Sequence, residues 1–139
     1  MTNTRISDVE ILEKRYPIIL REFSVRSDSG GKGRHKGGEG VKRVIECRDP
    51  LTFSMISERR VTRPYGLKGG DDGAPGENLI SRKISAGKRR IVSLGPRGLV
   101  NLEPGDHFII KTPGGGGWGR KITDGAVNDC STINGTSTQ

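Results

Sequence analysis

Residues 51–55, Leu-Thr-Phe-Ser-Met, alternate apolar and polar side chains at every step. A period of two places Leu51, Phe53 and Met55 on one face of an extended strand, with Thr52 and Ser54 on the other. The Asp49-Pro50 pair just before it reads as a turn. Upstream, Val41 to Cys47 places Val41, Ile45 and Cys47 on one strand face, with Arg43 as the misfit. Ile18 to Arg26 reads as extended. Downstream, Leu79 to Ile84 and Arg90 to Leu94 read as strands joined by a hairpin turn at Ala86-Gly87. Leu99 to Leu102 and His107 to Lys111 are two more. Pro104-Gly105 between them fits a type II turn, with proline setting the first central φ and glycine accepting the positive second one.

Only the start of the chain is helical. Ser7-Asp8-Val9-Glu10 has capping-box spacing, Lys14 and Arg15 suit a helix C-terminus, and Pro17 cannot continue it. The expectation is a helix over 8–15. The fold class is therefore mainly β: antiparallel sheets with long glycine-rich loops and one short N-terminal helix. Residues 1–119 form the structured segment. Residues 120–139, rich in Ser, Thr, Asn, Asp and Gly, form a polar tail expected to be disordered.

Composition narrows the possibilities. A length of 139 residues suits one domain at most. Leu, Ile, Val and Phe make up roughly 23 % of the chain, just above the ~20 % level below which disorder becomes common, so the core is thin. Twenty-two glycines argue against a helical bundle. So many are tolerated only where turns, positive φ or close backbone approach require them. The net charge of +8 is spread along the chain with acids interleaved. That pattern favours solvated surface first, an inter-domain or inter-subunit face second and nucleic acid last. The basic loop holds no aromatic side chain for base stacking, and no apolar run approaches the ~20 residues needed to span a bilayer. The expectation is no nucleic acid, no membrane and a cytoplasmic protein. Cys47 and Cys130 are no disulfide framework, and Asn134-Gly135-Thr136 is a chance sequon.

Three loops concentrate the candidate chemistry. Gly30 to Gly40 carries Lys32, Arg34, His35 and Lys36, with Lys42 close by, and reads either as a structural turn or as an anion-holding ligand loop. Specific nucleotide motifs fail there. Gly33 to Gly38 has phosphate-loop spacing, but Glu39 follows where lysine is needed. Gly31, Gly33 and Gly37 miss the dinucleotide spacing by one. Residues 62–76 hold two prolines and five glycines, a length that is usually functional or disordered. Just before them, Glu58-Arg59-Arg60 closes a strand; it could bind a carboxylate through a guanidinium, with Arg59 the candidate, but a surface ion pair is the favoured reading. Pro113 to Gly119 places Gly114, Gly115, Gly116 and Gly117 before Trp118. A packing corner is favoured over a site wall or a linker, because Pro113 and Trp118 stiffen and anchor the run. His35 and His107 are isolated, so no metal set is expected. No serine or cysteine sits in a nucleophile elbow, and the catalytic residues stay unassigned.

MTNTRISDVEILEKRYP at the start, SGGKGRHKGGEG, ISERRVTRPYGLKGGDDGAPGENL and PGDHFIIKTPGGGGWG together resemble the C-terminal end of the hydantoinase B/5-oxoprolinase family. The opening and the SERRVTRPYGL segment are most similar to its eukaryotic 5-oxoprolinase branch. The resemblance covers residues 1 to about 119. Trp118 stands where the family more often has tyrosine, and the tail after Gly119 does not match.

The resemblance implies an ATP-driven opening of the lactam of 5-oxo-L-proline to L-glutamate, with the amide oxygen phosphorylated before water attacks. It also implies ATP and Mg²⁺ for the complete enzyme, bound outside this segment. The implied partners are a hydantoinase A-like ATP-binding domain and the rest of the B-like domain, within an oligomer. The expectation is a fragment of such an enzyme, inactive alone, with Arg34, Arg59, Gly114 to Gly117 and Trp118 lining a substrate or inter-domain loop. The alternative is a non-catalytic interaction module that pairs with the ATP-binding half.

Overall fold

The alternation at 51–56 becomes a strand with one inward and one outward face, and the rest of the fold is arranged around what its inward face covers. A computed structural model describes residues 5–85 and 87–121. The order of elements is α1 (Val9–Arg15), β1 (Ile18–Arg26), β2 (Gly40–Cys47), β3 (Leu51–Ile56), β4 (Glu77–Ser85), β5 (Lys88–Ser93), β6 (Arg97–Leu102) and β7 (His107–Lys111). Five strands form one sheet in the order β1-β2-β7-β4-β5, and β3 pairs with β6 in a separate two-stranded ribbon. Every pairing between named strands is antiparallel.

The ribbon is in register so that Leu51 faces Leu102, Phe53 faces Val100 and Met55 faces Gly98. The solvent side carries Thr52, whose hydroxyl donates to Asn101 at 2.8 Å. The inward side chains pack on Ile45, Ile80 and Phe108 of the large sheet. Phe53 and Phe108 stack with ring centroids 5.1 Å apart. Cys47, Ile80, Leu102 and Phe108 are almost fully buried. The core is small, as the apolar content predicts.

The helix is capped by Asp8, not by Ser7: the Asp8 carboxylate accepts from the Glu10 amide at 2.9 Å. Aspartate fills this role as well as serine does. Lys14 and Arg15 lie in its last turn, and Tyr16 ends it in an extended conformation. The Pro104-Gly105 turn forms, with Gly105 at φ +86° and the Asp106 amide donating to the Glu103 carbonyl at 3.0 Å. Yet it does not close a hairpin. β6 leaves the ribbon there, and β7 enters the centre of the other sheet. The buried Asp106 carboxylate holds this corner by accepting from the amides of Lys83 and Glu103. Between β4 and β5, Gly87 takes φ +80° as a hairpin glycine should; Ala86 lies outside the described residues. So do residues 122–139, which include Cys130, the Asn134 sequon and most of the polar tail. Among the described residues no helix is long and apolar enough to cross a membrane.

Candidate functional site

Three glycine-rich segments, 29–40, 64–76 and 112–119, leave the same end of the large sheet and are tied to one another by backbone hydrogen bonds. The amide of Gly31 donates to Gly115 at 2.8 Å, Gly115 to Gly38 at 2.8 Å, Leu67 to Gly117 at 2.9 Å, Gly117 to Asp71 at 2.9 Å, and Asp71 to Lys32 at 2.6 Å. A Cβ on Gly114 would lie 1.9 Å from the Ser29 carbonyl oxygen, and one on Gly116 1.9 Å from that of Tyr65. One on Gly37 would lie 2.1 Å from the Gly115 oxygen. Among these only close approach, not positive φ, demands glycine. The run Gly114 to Gly117 is thus a packing corner, in which hydrogen-bonded backbone replaces side-chain packing.

The loop at 30–40, read either as a structural turn or as an anion-holding loop, does present amides to an anion, but the chain's own Glu39 takes them. The Glu39 carboxylate accepts from the Ser29 amide at 2.7 Å, the Gly30 amide at 3.0 Å and the Ser29 hydroxyl at 2.9 Å, and it pairs with Lys36. Lys36, then the Gly30 amide and the Ser29 hydroxyl, hold its pKa down at about 2. The Ser29 and Gly30 amides, which Glu39 occupies, are therefore closed to an outside anion. The acid that breaks the phosphate-loop pattern at position 39 was the available signal, but its partners depend on the fold.

His35 and Trp118 exchange both backbone hydrogen bonds at 2.9 Å, and Leu67 pairs alongside Trp118. Their side chains share one face. The Trp118 ring tilts against His35 at 5.4 Å and stays 45 % exposed. Leu67, the bridge partner of Trp118, is exposed, and so is Tyr65 two residues before it. Arg34 is exposed and donates its backbone amide to Gly119 at 3.0 Å. Arg59 has φ +58°, and its guanidinium carbon lies 5.8 Å from the Tyr65 ring centroid. Glu58 is the member of its triplet that makes a surface ion pair, with Arg97 at 3.7 Å. The triplet follows β3 instead of closing it. Arg34, Trp118 and the four glycines thus come together, while Arg59 joins through Tyr65. An open cavity of about 350 Å³ beside them is lined by Lys32, Gly33, Lys36 and Lys121.

Other titratable groups are arranged for structure. Burial, then Asp106 and Glu46, push the Cys47 thiol up to about 11, so it is no nucleophile near neutral pH. Burial and Arg89 lower His107 against the opposing pull of Glu46, which lies 3.5 Å away. Among the described residues no three His, Cys, Asp or Glu side chains gather as metal ligands.

The glycine segments lie in three of the four stretches that carried the resemblance. A model of the family "Hydantoinase B/oxoprolinase" matches residues 1–121. The chain belongs to that family. 5-Oxoprolinase 1 of Arabidopsis thaliana is 51 % identical over 122 residues, covering 88 % of this chain and 9 % of the relative. The 5-oxoprolinase of Saccharomyces cerevisiae is 51 % identical over 111 residues, covering 80 % and 8 %. The crystal structure of the ATP-dependent caprolactamase from Pseudomonas jessenii superposes with a TM-score of 0.69 at 27 % identity, over 83 % of this chain and 21 % of that one. This hydantoinase B/oxoprolinase-family chain thus spans about a tenth of the two 5-oxoprolinases and a fifth of the caprolactamase chain.

Proposed function

We propose that this chain is the C-terminal segment of an ATP-dependent 5-oxoprolinase and serves as a wall of its B-like domain rather than as its catalyst. The observation behind this is that the glycine segments, which bear three of the four family motifs, are tied together by mutual backbone hydrogen bonds and by the Glu39 contact. They position neighbouring side chains, and Glu39 closes the Ser29 and Gly30 amides to a transferred phosphoryl group. ATP and Mg²⁺ belong to a hydantoinase A-like partner domain, which activates the lactam oxygen of 5-oxo-L-proline for attack by water. The rest of the B-like domain completes the substrate site, in a cytoplasmic oligomer. Support comes from the half-identity to 5-oxoprolinases and from the fold shared with an ATP-dependent caprolactamase.

A second reading, a non-catalytic module that docks an ATP-binding half, draws on the exposed row of Trp118 and Leu67 with Tyr65 beside it. The first reading is tested by incubating the chain alone with ATP and 5-oxo-L-proline. No glutamate is expected, and glutamate above the protein-free background refutes it.

A further inference from the structure

The β4–β5 hairpin stands at the end of the large sheet opposite the glycine segments, one of which leads into β4 from its other end. Its charge is one-sided. Residues 78–102 hold six Lys or Arg and no Asp or Glu. Five of the six, Arg82, Lys83, Lys88, Arg89 and Arg90, lie on the hairpin itself and are exposed. Strand pairing sets them against one another: Arg82 faces Arg90, and Lys83 faces Arg89. Like charges directly opposite in a sheet are destabilising. None of the five has a carboxylate partner among the described residues. Arg82 and Arg89 reach only neutral acceptors, the Asn101 carbonyl and the Ser81 and Gly105 oxygens. The acids that approach are occupied. Glu46, which feels the Arg89 charge, pairs with Arg21 and His107. The buried Asp106 carboxylate accepts from the Lys83 and Glu103 amides.

β5 is also a terminal strand of the sheet, so one of its edges has no neighbour. The pairing fixes which backbone groups that edge presents. The Leu94 amide donates to the Asn78 carbonyl at 3.0 Å. Bonded pairs in an antiparallel ladder recur at every second residue, so Val92 with Ile80 and Arg90 with Arg82 are the next two. Arg89, Ile91 and Ser93 alternate with them and turn their N–H and C=O groups to the open side. The other terminal strand, β1, has part of its edge covered: the Leu20 amide donates to the Glu13 carboxylate of α1 at 2.8 Å. No such cover lies on 89–93 among the described residues.

Cations on an edge strand can serve simply to repel other strands. That role does not require cations to face one another at a cost in stability. Nor does it fit Ile84 and Ile91 of the same hairpin, which are both 64 % exposed. The hairpin holds no Phe, Tyr or Trp on which a base could stack, so a polypeptide fits it better than a nucleic acid does.

We propose that the open edge of β5 is a docking site for an acidic extended segment from outside this chain, which adds to the large sheet as a further strand. The backbone of that segment bonds Arg89, Ile91 and Ser93. Its apolar side chains cover Ile91 and Val92, and its carboxylates neutralise Lys88, Arg89 and Arg90. This surface goes beyond the role proposed above and shares no residue with the glycine segments, so its failure leaves that role untouched.

The test is amide hydrogen exchange, read by NMR, in the full 139-residue chain with the peptide N-acetyl-Thr-Val-Val-Glu-Glu-Glu-amide. Laid antiparallel, this peptide sets threonine opposite Ser93, the valines opposite Val92 and Ile91, and the glutamates opposite Arg90, Arg89 and Lys88. At about ten times the Kd found by shift titration, the Arg89, Ile91 and Ser93 amides should exchange about tenfold more slowly. Arg90 and Val92, already bonded to β4, should change little. The same peptide with lysines for glutamates should protect none of them. A double variant, Lys88→Glu with Arg90→Glu, should lose the protection in a hairpin that stays folded, because glutamate opposite Arg82 replaces repulsion with attraction. The proposal is overturned if the acidic peptide leaves the three amides unchanged, if the lysine peptide protects them equally, or if the double variant keeps the protection. Binding of a single-stranded oligothymidylate where the acidic peptide does not bind would mark the hairpin as a polyanion surface and overturn it too.

Discussion

Alanine in place of Gly114 tests whether the glycine segments are a packing unit or merely flexible loops. Its Cβ would lie 1.9 Å from the Ser29 oxygen, where ordinary contact begins at 3.4 Å. The two backbones must then part by about 1.5 Å. That displacement breaks the bonds from Gly114 to Ala74 at 3.1 Å, from Gly31 to Gly115 at 2.8 Å and from Ala74 to Ser29 at 2.7 Å. Three neutral bonds at about 1 kcal/mol each, with about 1–3 kcal/mol of overpacking, give a loss of about 4–6 kcal/mol. A domain's whole stability is only about 5–15 kcal/mol.

Graded controls come from the same loops. Gly115→Ala places its Cβ 3.1 Å from the Gly38 nitrogen, and Gly38→Ala meets nothing within 4 Å. The first should be intermediate. The second should change stability by less than about 1 kcal/mol, with either sign allowed by the lost chain entropy. Urea denaturation followed by the fluorescence of Trp118, the one tryptophan in the chain, reads the same corner directly. Equal stability of the Gly114→Ala and Gly38→Ala proteins would refute the packing argument.

Protonating Glu39 should loosen the 29–40 loop: its folded pKa is depressed, so its contribution is complete above pH 4.5 and is lost as pH falls towards about 2. Glu39→Gln should flatten the acid limb of a stability-against-pH curve measured by thermal melts. In a Cys130→Ser background, Cys47 should resist a disulfide reagent at pH 8 until urea unfolds the chain, because its pKa is near 11 and it is fully buried; rapid native labelling would contradict this. Phe108→Ala should cost about 3–5 kcal/mol by denaturant titration, since Phe108 is 1 % exposed and stacked on Phe53.

Strand positions were legible because side-chain period and turn chemistry both act locally. Ile18–Arg26 and His107–Lys111 coincide with the expected strands, and Arg43 proves the misfit that its place in an apolar strand suggests. Pairing was not legible. β3 and β6 are brought together across the β4–β5 hairpin, and nothing near Pro104-Gly105 signals that its flanking strands diverge. The glycine corner was half legible. The run at 114–117 demanded a reason, but backbone packed on backbone leaves no side-chain pattern to name Ser29, Tyr65 and Lys32 as its neighbours. Glu39 and Asn78 were missed for a related reason: a polar side chain that satisfies distant backbone or a distant arginine looks, in sequence, like any solvated residue.

The role proposed for this chain is that of a structural segment in a larger lactam-opening enzyme. The direct measurement is complementation. Arabidopsis thaliana 5-oxoprolinase 1 lacking the segment that this chain matches is co-expressed with the chain, and glutamate is measured after adding ATP and 5-oxo-L-proline. Glutamate is expected only when both polypeptides are present, with the yield collapsing for Gly114→Ala and retained for Gly38→Ala. Equal glutamate formation by the truncated relative with and without the chain would contradict it.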